Sequence, residues 1–168
     1  MKNGQFVIAV YVDNKFGVLS RVTSMFTRRG FNIDALTVGE TEHPEFSRIT
    51  ITMSGDSTDK AQMISQLRKL VNVKKVELLE SDTSVRRELM LIKISNDPAV
   101  RQDALNAVEI FRAKIIDYTP VALCIECTGE PSKIDAFIET LKPCGIIEMC
   151  RTGIVALERG GGSLMDSE

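Results

Sequence analysis

No apolar run in this 168-residue chain approaches the ~20 residues a bilayer-spanning helix needs; the longest are of strand length. Neither charge dominates: 21 Lys and Arg stand against 23 Asp and Glu, a net charge of −2. The strongly basic stripe of a nucleic-acid binder is therefore missing. The first residues, "MKNGQFVIAVYVDNK", lack the apolar stretch and small-residue cleavage site of a secretory signal, so a cytoplasmic location is expected. No G-x-G-x-x-G follows a strand-like run, and Gly160, Gly161 and Gly162 precede no Lys-Ser/Thr pair and open no helix. Acidic residues are scattered rather than paired for acid–base work. Ser20 has no plausible base and reads as a first-turn helical serine. These absences leave no catalytic residue to nominate.

Histidine occurs once, at His43, and cysteine four times, at Cys124, Cys127, Cys144 and Cys150. "CIEC" has the spacing of a zinc or redox site, but it lies within "VALCIECT", which alternates like a strand. Positions three apart on a strand point to opposite faces and cannot chelate one ion. Buried reduced thiols are the reading, with no metal site. A metalloenzyme built on these cysteines is the weaker rival, and elemental analysis of the purified protein decides it.

What is present is a regular alternation of elements. "FVIAVYV" is β-branched, aromatic and too apolar on both faces for an exposed edge, which reads as a strand. Val18, Leu19, Val22, Met25 and Phe26 follow at helical spacing, with Gly30 placed as a left-handed stop. "FNIDALTV" and "SRITITM" are strands; in the second, Ile49, Ile51 and Met53 face one way and Arg48, Thr50 and Thr52 the other. Asp56 is a helix cap before a stripe of Ile64, Leu67, Leu70 and Val71, and "VKKVELLE" closes the unit as a strand. The second half repeats the order. "ELMLIKI" is a strand, and "NDPAV" caps a helix with Pro98 at its first position. That helix carries Val100, Ala104, Ala107, Val108 and Phe111. "KIIDY" and "VALCIECT" are strands, followed by a helix with Ile134, Phe137, Ile138 and Leu141, then strand-like "GIIEMCRTGIVAL" interrupted at Gly153. The expected fold class is α+β, two ferredoxin-like βαββαβ units in tandem joined near "ESDTSVRRE". The boundaries are 1–80 and 81–158, with 159–168 a disordered glycine-rich tail.

The loop "DNKFG" carries the most chemical information. A helix that starts near Gly17 and Val18 exposes backbone N–H groups without intrahelical partners, and its dipole favours an anion there. Gly17 lets a carboxylate approach the backbone, and Asn14 can both donate and accept a hydrogen bond. A free amino acid would suit such a loop; a plain turn with a tolerant Asn suits it equally.

"NKFGVLSRVTSMFTRRGFNIDALTVGET" followed by "SRITI" resembles the ACT domain of the small, regulatory subunit of acetolactate synthase, also called acetohydroxyacid synthase. "VRRELMLIKI", "EIFRAKIIDYTP" and "KIDAFIETLKP…RTGIVAL" are similar to that family's C-terminal domain, so the resemblance runs from Phe6 to Leu157. Phe16 departs from it, standing where a smaller residue or proline is common, at the rim of the loop. The resemblance implies an N-terminal ACT domain that binds effector and dimerises, and a C-terminal ferredoxin-like domain that couples to the catalytic large subunit. It implies a non-catalytic regulatory subunit that activates its partner and confers feedback inhibition by valine, in branched-chain amino-acid biosynthesis. Thiamine diphosphate and magnesium, with FAD an open case, would belong to the catalytic partner, and this chain would bind no cofactor. The effector would lie between two ACT domains of a homodimer, held by Asn14, Gly17, Val18 and Leu19 of one protomer and by Asn32 and Ile33 of the other. The alternative is a stand-alone ACT-type amino-acid-sensing regulator, which would bind effector without a synthase partner.

Overall fold

The computed structural model describes residues 4–165. Contacts divide the chain into two units: one holds residues up to Arg86 together with the stretch from Gly153 onward, the other holds Arg87–Thr152. In the first, the order is β1 (Gln5–Asp13), α1 (Val18–Arg28), β2 (Ile33–Glu40), β3 (Phe46–Ser54), α2 (Ser57–Leu67) and β4 (Val73–Leu79). The sheet runs β2-β3-β1-β4 with every neighbouring pair antiparallel. This is the expected βαββαβ arrangement.

Each helix here forms for local reasons and stays for packing. α1 opens at Gly17 and places Val18, Val22, Met25 and Phe26 in the core; Gly30, with φ 72°, follows its end. α2 opens with a reciprocal capping box, Asp56 accepting from the Asp59 N–H and Asp59 accepting from the Asp56 N–H. Its buried contacts are Met63 and Leu67, with Ile64 and Leu70 half-buried. Leu70 and Val71, both expected in the stripe, lie beyond the helix end, and Val71 is exposed. Phe6, Ile8, Val10 and Val12 of β1 meet these helices from the sheet.

β1 is buried on its other face too. Val7, Ala9 and Tyr11 pack with Leu79 and with Ile154, Ala156 and Leu164 from the end of the chain. Residues 153–165 return as a strap over this outer sheet face, starting with a turn at Gly153. That residue has φ 80°, and a Cβ there would come within 2.9 Å of the Ala35 Cβ, so only glycine fits without displacement. The Arg48 guanidinium donates from Nη2 to the Ala156 carbonyl at 2.8 Å, and the Arg159 N–H donates to Thr83 at 2.8 Å. Two expectations change here. The second compact unit ends at Thr152 rather than at 158, because Ile154, Ala156 and Leu164 of the strap are buried with the first unit's sheet. The tail is not featureless over 159–165, since Leu164 is only 8% exposed; residues 166–168 of the expected tail lie outside the described residues.

The second unit carries most of β5 (Ser84–Ser95), then α3 (Arg101–Ile110), β6 (Lys114–Tyr118), β7 (Ala122–Gly129), α4 (Pro131–Leu141) and β8 (Ile146–Arg151). Its strands run β6-β7-β5-β8, and the short β9 (Val155–Glu158) of the strap pairs with β5. The core sets Met90, Ile92, Ile94, Leu123 and Ile125 against Ala104, Ala107 and the full expected stripe of α4. Pro98 is not the first helical residue: it lies in a turn anchored by Asp97, whose carboxylate accepts the Ala99 N–H, and α3 begins at Arg101. Glu88, buried on β5, receives both Nε and Nη2 of Arg151 at 2.6 and 2.8 Å, while Arg151 Nη1 reaches Asp135. The Glu88 hydrogen bonds, chiefly, hold the Arg151 pKa above its ordinary value. β6 is an edge strand exposed along its whole length, and it carries Ile115, Ile116 and Tyr118.

Candidate effector site

The loop between β1 and α1 is built on a clasp that the sequence did not announce. Asp13, the last residue of β1, accepts the Asn72 carboxamide at 3.0 Å and the Lys74 ammonium at 3.0 Å, while its own N–H donates to the Asn72 carbonyl. The Asn72 hydrogen bond and Lys74, aided by Lys15, hold the Asp13 carboxyl below its ordinary value of 3.8. Arg21 of α1 donates to the other end of the Asn72 carboxamide at 3.1 Å, so strand, helix and the loop before β4 are tied together. Asn72 sits 59 residues from Asp13, and only a polar residue between a helix and a strand hinted at it.

Asn14 continues the anchoring. Its N–H donates to the Glu45 carbonyl at 2.7 Å, and its carboxamide nitrogen donates to Pro44 at 3.0 Å and, more weakly, to Glu40 at 3.4 Å. Both carboxamide hydrogens are thus engaged, and what Asn14 offers a ligand is its acceptor oxygen, which suits an ammonium rather than a carboxylate. Phe16 is fully exposed at the rim.

Gly17 is the N-cap of α1 in the left-handed region, φ 80°, and a Cβ built on it meets no atom of the described residues within 4 Å. Glycine is required by the backbone here, and the space above it is open. Among the described residues no side chain caps α1, and its first turn holds no acid. The first intrahelical bond runs from the Arg21 N–H to Gly17, and the Val18 N–H turns back to Lys15 at 3.3 Å. The Leu19 and Ser20 N–H groups therefore face the helix entrance with the positive dipole end behind them. Leu19 is the one member of the α1 apolar stripe that stays out of the core, 41% exposed, whereas Val18 is buried.

Asn32 and Ile33 lie elsewhere. Ile33 is level with Met53, which is level with Phe6 at the start of β1, while the loop springs from Asp13 at the other end, level with Phe46. Seven residues of strand separate the two levels, about 23 Å. Asn32 is exposed and Ile33 is half-buried against the core. One chain brings Asn14, Gly17, Val18 and Leu19 together and leaves Asn32 and Ile33 apart from them, at the start of the edge strand β2.

All four cysteines are free thiols, and burial pushes the Cys127 and Cys144 thiols above their ordinary range. Cys124 and Cys127 lie on β7, the strand expected for them, and among the described residues no group of His, Cys, Asp and Glu is arranged to hold a metal ion. Among the described residues no helix is long and apolar enough to cross a membrane.

Residues 8–75 match the model of the "AHAS small subunit-like ACT domain", and residues 87–160 match that of the "Small subunit of acetolactate synthase". The acetolactate synthase small subunit of Mycolicibacterium smegmatis is 45% identical over 162 residues, covering 95% of each chain. That of Mycobacterium bovis is 44% identical over 153 residues, 91% of each chain. Among solved structures, the acetolactate synthase small subunit from Thermotoga maritima matches with a TM-score of 0.87 and 42% identity, covering 94% of this chain and 99% of the other.

Proposed function

This chain belongs to the acetolactate synthase small-subunit family, and from that premise we propose that it is a non-catalytic regulatory subunit. It binds the catalytic large subunit in the cytoplasm, raises its activity and makes it sensitive to valine. Thiamine diphosphate and magnesium belong to that partner, and this chain binds no cofactor.

One observation carries the amino-acid reading. An uncapped helix entrance opens at a left-handed glycine with empty space above it, and the strand end beneath is locked by Asp13 and Asn72. Such an entrance takes a carboxylate on the Leu19 and Ser20 N–H groups. The Asn14 oxygen is placed to take the ammonium, and Leu19 offers an apolar contact. Asn32 and Ile33 complete the pocket from a second copy, because a homodimer joined through the exposed edge strand β2 supplies them in trans. β6 supports the coupling role of the second unit: an apolar edge strand left bare is a surface for another chain.

Calorimetric titration with valine, beside a synthase assay with the large subunit added back, tests this. Saturable valine binding by this chain, and valine-sensitive stimulation of the large subunit, are expected. Acetolactate formation by the purified chain alone, with thiamine diphosphate and magnesium supplied, would overturn the regulatory reading.

A further inference from the structure

Between the outer face of the first unit's sheet and the strap lies a cavity of about 470 Å³, within the range that holds small ligands. It meets the Gly17 loop through Glu40, which lines the cavity and accepts the weak Asn14 hydrogen bond. Arg48 stands opposite Tyr11 across β3 and β1, and Glu77 opposite Ala9 across β1 and β4, so both side chains belong to the face that the strap covers. Glu40, Glu42 and Glu158 add three more carboxylates to the lining, and Arg48 is the only cation among the described lining residues.

The guanidinium is incompletely used. Its Nη2 donates to the Ala156 carbonyl, but its Nε is buried and has no hydrogen-bond partner among the described residues. The Nε edge of the fork is closed to water, so a carboxylate that bonds the guanidinium at two points does so after the Arg48 side chain turns toward the cavity. A bare anion meets four carboxylates against one guanidinium and is disfavoured, by half-buried Glu77 more than by exposed Glu40, Glu42 and Glu158. A bare cation answers the acids and leaves the Arg48 N–H unbonded. A ligand that carries both charges answers both. Leu79, Leu157 and Leu164 supply an apolar wall for a short aliphatic group.

We infer that the cavity beneath the strap binds a small zwitterion of the α-amino-acid class, its carboxylate on Arg48 and its ammonium toward Glu42 and Glu77. The site is complete within one chain. It therefore differs from the pocket proposed above, which needs a second copy.

The test uses the full chain with labelled leucine, isoleucine and valine methyl groups, observed by NMR, and three probes of matched shape. L-leucine carries both charges, isovalerate only the carboxylate and isopentylamine only the ammonium. Saturable shifts at Leu79 and Leu164 are expected for L-leucine at concentrations about tenfold below those needed for either half-probe. Arg48→Gln and Glu77→Gln should each weaken the response at least several-fold, with thermal melts reporting that the variants fold. If Arg48→Gln does not fold, the comparison of three probes on the unaltered chain decides alone. Gly17→Asp should leave the shifts at Leu79 and Leu164 in place, which separates this site from the other pocket. Equal responses to isovalerate and L-leucine, or to isopentylamine and L-leucine, would overturn the zwitterion assignment. L-leucine shifts confined to Leu19 and Ile33 would overturn the site.

Discussion

A side chain added at Gly17 meets two obstacles of different kinds. The first is conformational: φ 80° costs any non-glycine residue about 1 kcal/mol, whether or not a ligand is present. The second is electrical and arises only if a carboxylate docks beside it. Gly17→Ala isolates the first, and Gly17→Asp adds the second. Two like charges ~4 Å apart cost up to about 4 kcal/mol at an effective dielectric of ~20. Exposure of the loop lowers this to roughly 2 kcal/mol, about thirtyfold in affinity. Both variants should therefore melt at similar temperatures, while calorimetry shows valine bound well by the alanine variant and weakly by the aspartate variant. Equal affinities in the two would move the carboxylate away from Gly17. Asp13 makes a separate prediction. Its folded pKa lies below 3.8, so the stability it contributes is complete above that value and is lost as pH falls through the lower folded value. Denaturant melts should show the unaltered chain losing stability more steeply than Asp13→Asn below about pH 4, with parallel behaviour near neutrality. Identical acid slopes would mean that the clasp is not ionic in solution.

The elements differ in how openly the sequence declares them. α4 buries the four residues its spacing marks, and β1 reads as doubly apolar because both its faces are covered. Local rules were enough there, since the period and the burial coincide. Val71 and Pro98 show where they stop. Each sits at an element end, where helical spacing or a favourable residue type continues for a position or two after the backbone has turned away. The strap was illegible for a different reason. From Glu158 on it is polar and glycine-rich, and Leu164 is buried only because Val7, Ala9 and Tyr11 leave an apolar face more than 150 positions earlier in the chain. The site divides similarly: Asn14 and Gly17 are marked by turn chemistry, whereas the Asp13–Asn72 clasp pairs distant residues and carries no local mark. Leu164→Ala should lower the stability of the chain by about 2 kcal/mol, the low end for a buried leucine, since the strap can settle. A change within 0.5 kcal/mol in denaturant melts would mean that the strap is not held by that contact.

On the scale of the whole molecule, the separation of Asn32 from Gly17 within one chain predicts complementation. Chains carrying Gly17→Asp and chains carrying Asn32→Asp should each bind valine poorly. Mixed and re-equilibrated, half the dimers pair one of each, and every mixed dimer has one site with an intact loop facing an intact Asn32. About a quarter of the normal site number should reappear by calorimetry. No recovery after verified subunit exchange would mean that the site is not shared. A second prediction follows from the return of residues 153–165 to the first unit. Stopping the chain at Arg86 strips Ile154, Ala156 and Leu164 from the sheet and should give an aggregating product. Replacing 87–152 with a flexible linker retains them and should give a folded one, and light scattering distinguishes the two. If the chain stopped at Arg86 stays monodisperse and folded, the strap is dispensable.

The same return imposes a schedule on synthesis. At roughly 5–20 residues per second, the ribosome takes several seconds to proceed from Arg86 to the end of the strap. During that interval the first sheet has its helices but not its outer cover. Val7, Ala9 and Tyr11 then face the cell bare, beside Leu79, while the next sheet is still being made. The nascent chain is a client for whatever shields apolar surface at the tunnel exit, and the first half of the message finishes folding only after the second half has been read.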